Sequence, residues 1–186
     1  MGHDARDALV RDPLSDVLSE LREIAERVDR TQMAELVEVI ARSKRIFVAG
    51  MGRSGLMARA LAMRLMHLGF DVYVVGDTTT PSIRSKDLLI CCSRYGRSRS
   101  LNTYITKAHE EGAAAALITM TRRTPLAKKA DYVFLIPVEK SGESRQPLGT
   151  VFEQSLLVYC DAIVLMAMTR LKISERDMAA QHTQLE

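Results

Sequence analysis

IFVAGMGRSGLMARALAMRLMHLG, residues 46–69, decides how the chain folds. It opens on a short apolar run and turns through Gly50, Gly52 and Gly55 with a hydroxyl at Ser54. It continues as a helical pattern that Gly69 closes, as a C-terminal glycine should. A strand that turns through small residues into a helix leaves backbone N–H groups free at the helix start. Together with the positive end of the helix dipole they make an anion site, most often for phosphate. A second arrangement of the same kind follows: DLLICCS at 87–93, RYGRS at 94–98, then another helical stretch. Two strand–turn–helix units, each presenting hydroxyls and a glycine, point to one phosphorylated small molecule held between them.

Working outward, strands are expected at 45–49, 71–75, 88–92, 115–119 and 132–136. All are continuous apolar runs without alternation, the mark of a sheet buried on both faces. Helices are expected at about 54–68, 98–111, 125–130, 149–171 and 174–181, the last capped by Ser174. Before the first strand, Asp12-Pro13 starts a helix carrying Leu14, Val17, Leu18, Leu21, Ile24 and Val28 at helical spacing, and Thr31 is placed to cap a second. Strands alternating with helices predict an α/β fold: a three-layer α-β-α doubly wound sandwich around a five-stranded parallel sheet. Such sheets bind ligands at the carboxyl ends of their strands, where both glycine turns fall. The chain reads as one domain over 1–186, with N-terminal helices at 1–43, the α/β core at 44–171 and a C-terminal helix and tail at 172–186.

Composition fits this reading. The 186 residues are 47% hydrophobic and 26% charged, ordinary for a globular domain that buries a good core. A net charge of +3 without a long Lys/Arg run argues against nucleic acid. Cys91, Cys92 and Cys160 all sit in apolar runs, and adjacent Cys91 and Cys92 would face opposite sides of a strand, so no metal spacing is present. Buried free thiols fit a reducing compartment. The start, MGHDARDALVRDP, has no apolar core and is not read as a signal peptide. Leu156–Met168, interrupted by Asp161, is too short to span a bilayer. These features lead to the expectation of a cytoplasmic protein without a membrane partner.

Gly50-Met51-Gly52-Arg53-Ser54-Gly55 also satisfies the dinucleotide pattern G-x-G-x-x-G, with Asp77 where a ribose-binding acid would stand. Three features count against it. The segment from Asp77 to Asp87 holds Thr78-Thr79-Thr80-Pro81 and reads as a loop; the third strand ends in a second Ser/Gly turn; and no separate substrate domain is present. A plainer alternative is that the glycines only let helix and strand pack closely.

The chain resembles the sugar-isomerase (SIS) domain family, whose fold is flavodoxin-like, and within it the 6-phospho-3-hexuloisomerases of the ribulose monophosphate pathway. GMGRSG at 50–55 carries the general resemblance. AMRLMHLGFDVYVVGDTTTP at 62–81, DLLI at 87–90, PLGTVFEQSLLVYCDA at 147–162 and the closing QHTQLE at 181–186 carry the narrower one. The resemblance implies reversible conversion of a 6-phospho-3-hexulose to fructose 6-phosphate through an enediol, in formaldehyde fixation or pentose phosphate supply, with no metal or organic cofactor. Such a carbonyl shift needs a base to move a proton between C2 and C3, a proton shuttle between the oxygens, and an anchor for the phosphate. By the same resemblance, Glu153 in FEQ matches the enediol base and His182 the near-terminal histidine that transfers oxygen protons. Ser54, Ser93 and Ser98 match the phosphate or sugar hydroxyl ligands. Gly52 and Gly96 match glycines of the two turns, and Arg53 and Thr79 are further pocket residues.

The chain departs from the family in the second turn, which usually reads S-G-S-G-x-T. Here Arg94 stands for a glycine and Tyr95 for a serine. Either Arg94 or Arg97 replaces backbone amides as a phosphate ligand, since guanidinium binds phosphate in a bidentate way, or the side chains plug the site. The remaining readings are therefore a non-catalytic sugar-phosphate-binding SIS protein and an isomerase of another phosphosugar. Helix 54–68 is apolar almost all round, as is Leu156–Met168, which favours a subunit interface besides the core. The resemblance implies a homotetramer, with His182 able to serve a neighbouring subunit's pocket.

Overall fold

In a computed structural model, residues 12–138 and 144–184 are described. Residues 1–11 of the N-terminal stretch, which was not read as a signal peptide, and the final Leu185-Glu186 lie outside them.

Two helices come first, α1 (Pro13–Arg27) and α2 (Arg30–Ala41). Asp12 caps α1 as expected, its carboxylate accepting from the Leu14 and Ser15 amides at 3.1 and 3.2 Å. The cap of α2 is Asp29 rather than Thr31: Asp29 Oδ1 accepts from the Thr31 and Gln32 amides at 2.8 and 3.3 Å. A carboxylate in extended backbone satisfies two orphan donors at once and so starts the helix two residues earlier.

The sheet strands are β1 (Ile46–Gly50), β2 (Val72–Val74), β3 (Leu88–Cys92), β4 (Ala114–Thr119) and β5 (Tyr132–Leu135), all parallel in the order β2-β1-β3-β4-β5. Between them run α3 (Gly52–His67), α4 (Arg99–Glu110) and α5 (Pro125–Lys129). No helix lies between β2 and β3, as the Thr-Pro segment indicated. A 3-10 turn, Pro147–Gly149, leads into the long α6 (Thr150–Leu171), and α7 (Glu175–Ala180) follows behind a Ser174–Asp177 capping box.

One face of the sheet packs Val48, Ile90, Cys92 and Ile118 against α1, α2, α3 and α6; the other packs Phe47, Cys91 and Leu117 against α4 and α5. Cys91 and Cys92 thus face opposite layers, and all three thiols are free and buried. With its 3-10 turn, α6 is longer than the apolar run within it and is long and apolar enough to pass for a bilayer span, but 56% of its most apolar stretch is buried inside the fold. Its inner side is core, including Phe152, Leu156, Tyr159 and Ile163.

The strand order reverses between β1 and β3. At such a switch point the connections leave in opposite directions and open a crevice at the strands' carboxyl ends. The turns after β1 and β3 meet there.

Candidate active site

The turn after β1 divides its glycines between two tasks. A β-carbon on Gly50 would lie 2.8 Å from the Gly55 Cα, and one on Gly55 would lie 2.6 Å from the Gly50 carbonyl oxygen. Those two residues permit strand and helix to touch. Gly52 has open space around it but a φ of +55°, so it serves the turn itself. Close packing therefore explains two of the three glycines and leaves the third to the loop. The cap position of α3 is Met51, which supplies no side-chain acceptor. Ser54 lies inside the first turn of the helix, so it is not the cap, and its hydroxyl has no hydrogen bond among the described residues. The first amides of α3 and this hydroxyl face the crevice without an internal acceptor.

The second turn is held by its own residues. Ser93 Oγ accepts from the Gly96 amide at 3.2 Å, and Ser98 caps α4 through the Leu101 amide at 3.3 Å. Gly96 has φ +57°, and a β-carbon there would lie 2.4 Å from Thr124 Oγ1. Arg97 is exposed with no partner among the described residues, whereas Arg94 is half-buried.

A third segment closes the crevice. Arg53 reaches across to the start of α6: Nη1 donates to Thr150 Oγ1 at 3.1 Å and Nη2 to the Leu148 carbonyl at 2.8 Å. The same Nη1 lies 2.6 Å from Glu153 Oε1. This is an ion-pair distance, yet Oε1 lacks an aligned hydrogen bond. We attribute the misalignment to Nη1 already pointing at Thr150. The Glu153 side chain is only 12% exposed and sits in the first turn of α6, where the helix dipole favours a carboxylate. Arg94 Nη1 donates to the same Leu148 carbonyl at 3.2 Å.

The structure thus brings Gly52, Arg53, Ser54, Ser93, Arg94, Gly96, Ser98 and Glu153 to one edge of the sheet. Two expected residues are not joined to them. Thr79 is exposed in the loop after β2; its neighbour Thr80 makes the structural bond there, donating to the Val74 carbonyl at 2.6 Å. His182 is exposed and stacks on His67 at a centroid distance of 5.3 Å. His67 ends α3, so about 22 Å of helix separates it from Gly52, and His182 does not reach Glu153 of its own chain. Against the dinucleotide alternative, the Asp77 carboxylate is paired with Arg59 at 2.6 and 3.2 Å.

A cavity of about 380 Å³ lies elsewhere, between α1, α2 and α6. Its walls are apolar apart from Arg30 and the partnerless hydroxyls of Ser155 and Tyr159. The strand-end crevice, where cationic and hydroxyl groups converge on one carboxylate, is the better site for a charged, hydroxylated ligand.

Residues 39–165 match the SIS domain family model, a span that includes all three segments of the crevice. The chain belongs to the SIS domain family. Among relatives, this SIS chain is 35% identical over 179 residues to the 3-hexulose-6-phosphate isomerase of Bacillus subtilis, covering 93% of this chain and 97% of that protein. It is 39% identical over 178 residues to the enzyme of that name from Mycobacterium gastri, covering 93% and 89%. Among solved structures it superposes on a Methanococcus jannaschii protein, from whose crystal structure a function of 3-hexulose-6-phosphate isomerase was inferred. The TM-score is 0.84 at 34% identity, over 94% of this chain and 99% of that one.

Sequence reasoning about the SIS site missed the Pro147–Gly149 turn. Its contribution is a backbone carbonyl, that of Leu148, shared by Arg53 and Arg94. A carbonyl leaves no signature in a sequence; the glycine at 149, just ahead of a helical run, was the one signal that the backbone does something unusual there.

Proposed function

We propose that this SIS protein interconverts 6-phospho-3-hexulose and fructose 6-phosphate. The observation that carries the reading is the Glu153 carboxylate, nearly buried at a helix start and in contact with Arg53, beside two hydroxyl- and glycine-bearing turns. The names of its full-length relatives support the same reading.

The phosphate docks on the first amides of α3 with Ser54, while Ser93, Ser98 and Arg97 face it from the second turn. Arg53 spans substrate and base. Glu153 takes the proton from C2 of the 3-hexulose; the C–H electron pair becomes the C2=C3 double bond, and the C3 carbonyl oxygen gains a proton. The resulting 2,3-enediol loses the proton of its C2 hydroxyl, and Glu153 returns its proton to C3, leaving the ketone at C2. Atoms and charge balance without any cofactor.

His182 is the proton shuttle between the oxygens, delivered by a neighbouring subunit, since its own chain holds it at the far end of α3. The assembly is a homotetramer. It is supported by large apolar side chains left in solvent: Leu14 and Leu18 on α1, Leu56 and Met63 on α3, and Val158 and Leu165 on α6. Those of α1 and α6 belong to helices that line the 380 Å³ cavity. Part of the expected apolar face of α1 is uncovered, with Leu14 67% exposed. A cytoplasmic location in the ribulose monophosphate route completes the reading, and the three buried free thiols fit it.

Purified protein supplied with enzymatically generated 6-phospho-3-hexulose, coupled to detection of fructose 6-phosphate, tests the activity. Sustained turnover is expected; absence of turnover in a folded oligomer that still binds sugar phosphates would favour the non-catalytic alternative. Mixing the inactive variants Glu153→Gln and His182→Ala tests delivery between subunits. Random pairing should restore about a quarter of wild-type activity if each site draws on two chains, and none if it does not.

A further inference from the structure

Arg94 stands where the family pattern has a glycine, and its surroundings in this chain give it a task. Its backbone is anchored: the Arg94 carbonyl accepts from the Met120 amide at 3.2 Å and from Thr119 Oγ1 at 3.0 Å, tying it to the end of β4. Its guanidinium lies over the Tyr95 ring, 4.6 Å from the centroid. From there Nη1 donates to the Leu148 carbonyl. The same group fills the space beside Gly149 so closely that a β-carbon there would fall 1.4 Å from Nη1 and 2.0 Å from Cζ.

Besides the arginines, the turn that Arg94 grips is closed, among the described residues, only at its start, where the Thr150 amide and Oγ1 both donate to the Pro147 carbonyl, the hydroxyl at 2.7 Å. Leu148 has φ +55°, a conformation unfavourable for a branched side chain, and that side chain is 87% exposed. Gly149 follows at φ +77°, and α6 begins at the next residue without a side-chain cap. Glycine takes such a φ freely, but a left-handed leucine persists only when its surroundings over-determine it. The described hydrogen bonds to Leu148 come from Arg53 and Arg94. Arg53 must also serve the ligand and Glu153, which leaves Arg94 as the dedicated clamp.

We propose that Arg94 is a positioning residue. It pins the Pro147–Gly149 turn to the end of β3 and so fixes where α6 begins and where Glu153 points. This replaces the two readings of the departure, phosphate ligand and plug, with a third: the arginine braces the segment bearing the base. The role in turnover rests on the isomerase reading; the role in holding the turn does not.

Three variants test it: Arg94→Gly, Gly149→Ala and the double variant. A bracing role predicts that Arg94→Gly lowers kcat by about 10- to 100-fold, the cost of a small misplacement of a catalytic group, while KM stays within about twofold. A phosphate ligand would instead raise KM, and the Kd for inorganic phosphate, by about tenfold or more, which would overturn the proposal. Gly149→Ala should be the more damaged single variant, because its methyl meets the guanidinium. Adding Arg94→Gly should restore part of its activity; strictly additive losses would contradict the packing. Hydrogen exchange at the amides of residues 149–152 reads the turn without substrate. Faster exchange in Arg94→Gly is expected, and unchanged exchange would overturn the bracing even if wild-type protein proved inactive on the hexulose phosphate.

Discussion

The two ends of the same sheet use arginine and carboxylate to opposite effect. At the amino ends of the strands, Arg45 grips buried Asp87 through Nε at 3.1 Å and Nη2 at 2.6 Å, while Asp87 also accepts the Arg84 amide at 2.7 Å. Nearby, Asp131 accepts from the Ala115 amide at 2.7 Å and contacts His109 Nε2 at 3.0 Å. Both carboxylates there are committed. At the carboxyl ends, Glu153 Oε1 touches Arg53 without an aligned hydrogen bond, Arg94 Nε is buried without a partner, and the Ser54 hydroxyl is unspent. Satisfied polar groups hold a fold together, whereas charged groups left short of partners beside exposed turns are available to a ligand.

Exchanging the two carboxylates for neutral residues should separate these roles. Glu153→Gln should lower kcat by about 10²- to 10⁴-fold with the melting transition nearly unmoved; steady-state kinetics beside calorimetry would show it. Asp87→Ala should do the reverse. Removing one partner of a buried ion pair costs about 3–5 kcal/mol of stability, read by denaturant titration, while the protein that remains folded keeps its kcat. If both variants lost stability and activity alike, the distinction between the two ends would collapse.

The glycines allow a finer comparison within a single turn. Gly50→Ala places a methyl against the Gly55 backbone and should destabilise by about 1–3 kcal/mol or more. Gly52→Ala meets no atom within 4 Å and should cost about 1 kcal/mol, from its positive φ alone. Denaturant midpoints of the two variants decide between packing and backbone conformation as the reason for each glycine.

The smallest effect concerns the sheet's middle. Burial pushes the Cys92 thiol up to about 12, and the Cys91 and Cys160 thiols well above the ordinary value. A thiol whose folded pKa is raised favours the folded state below the unfolded pKa, and that contribution is lost as pH rises through the folded pKa. Stability should therefore decline from about pH 8.5, where unfolded thiols begin to ionise, toward pH 12. The native protein should also resist a thiol reagent at neutral pH that labels all three cysteines after denaturation.

Much of this was legible in the chain. Continuous apolar runs located all five strands because a parallel sheet covered on both faces leaves no polar side to alternate. Glycines and serines between β1 and α3, and Ser93, Gly96 and Ser98 after β3, located the two turns, because a positive φ at Gly52 and Gly96 and the close approach at Gly50 and Gly55 call for glycine. The cap of α2 was misplaced because Asp29 and Thr31 both qualify by type, and only backbone conformation chooses. The role of Arg94 was hidden for a different reason. Its partners, the Leu148 carbonyl and the empty flank of Gly149, lie 54 and 55 positions away in sequence and involve no recognisable side-chain chemistry. His182 was identified as a residue type, but its distance from Glu153 depends on the length of α3 and on how the tail folds back to His67.

On the proposed function, Glu153 moves a proton between C2 and C3 of a phosphorylated ketose. Incubating the protein with fructose 6-phosphate in deuterium oxide and following the sugar by proton NMR tests it most directly. Loss of the C3 proton signal is expected in the wild type and should be abolished in Glu153→Gln. Exchange at C1 instead would indicate an aldose–ketose isomerase working through a 1,2-enediol, and no exchange with a bound sugar phosphate would contradict catalysis at this site.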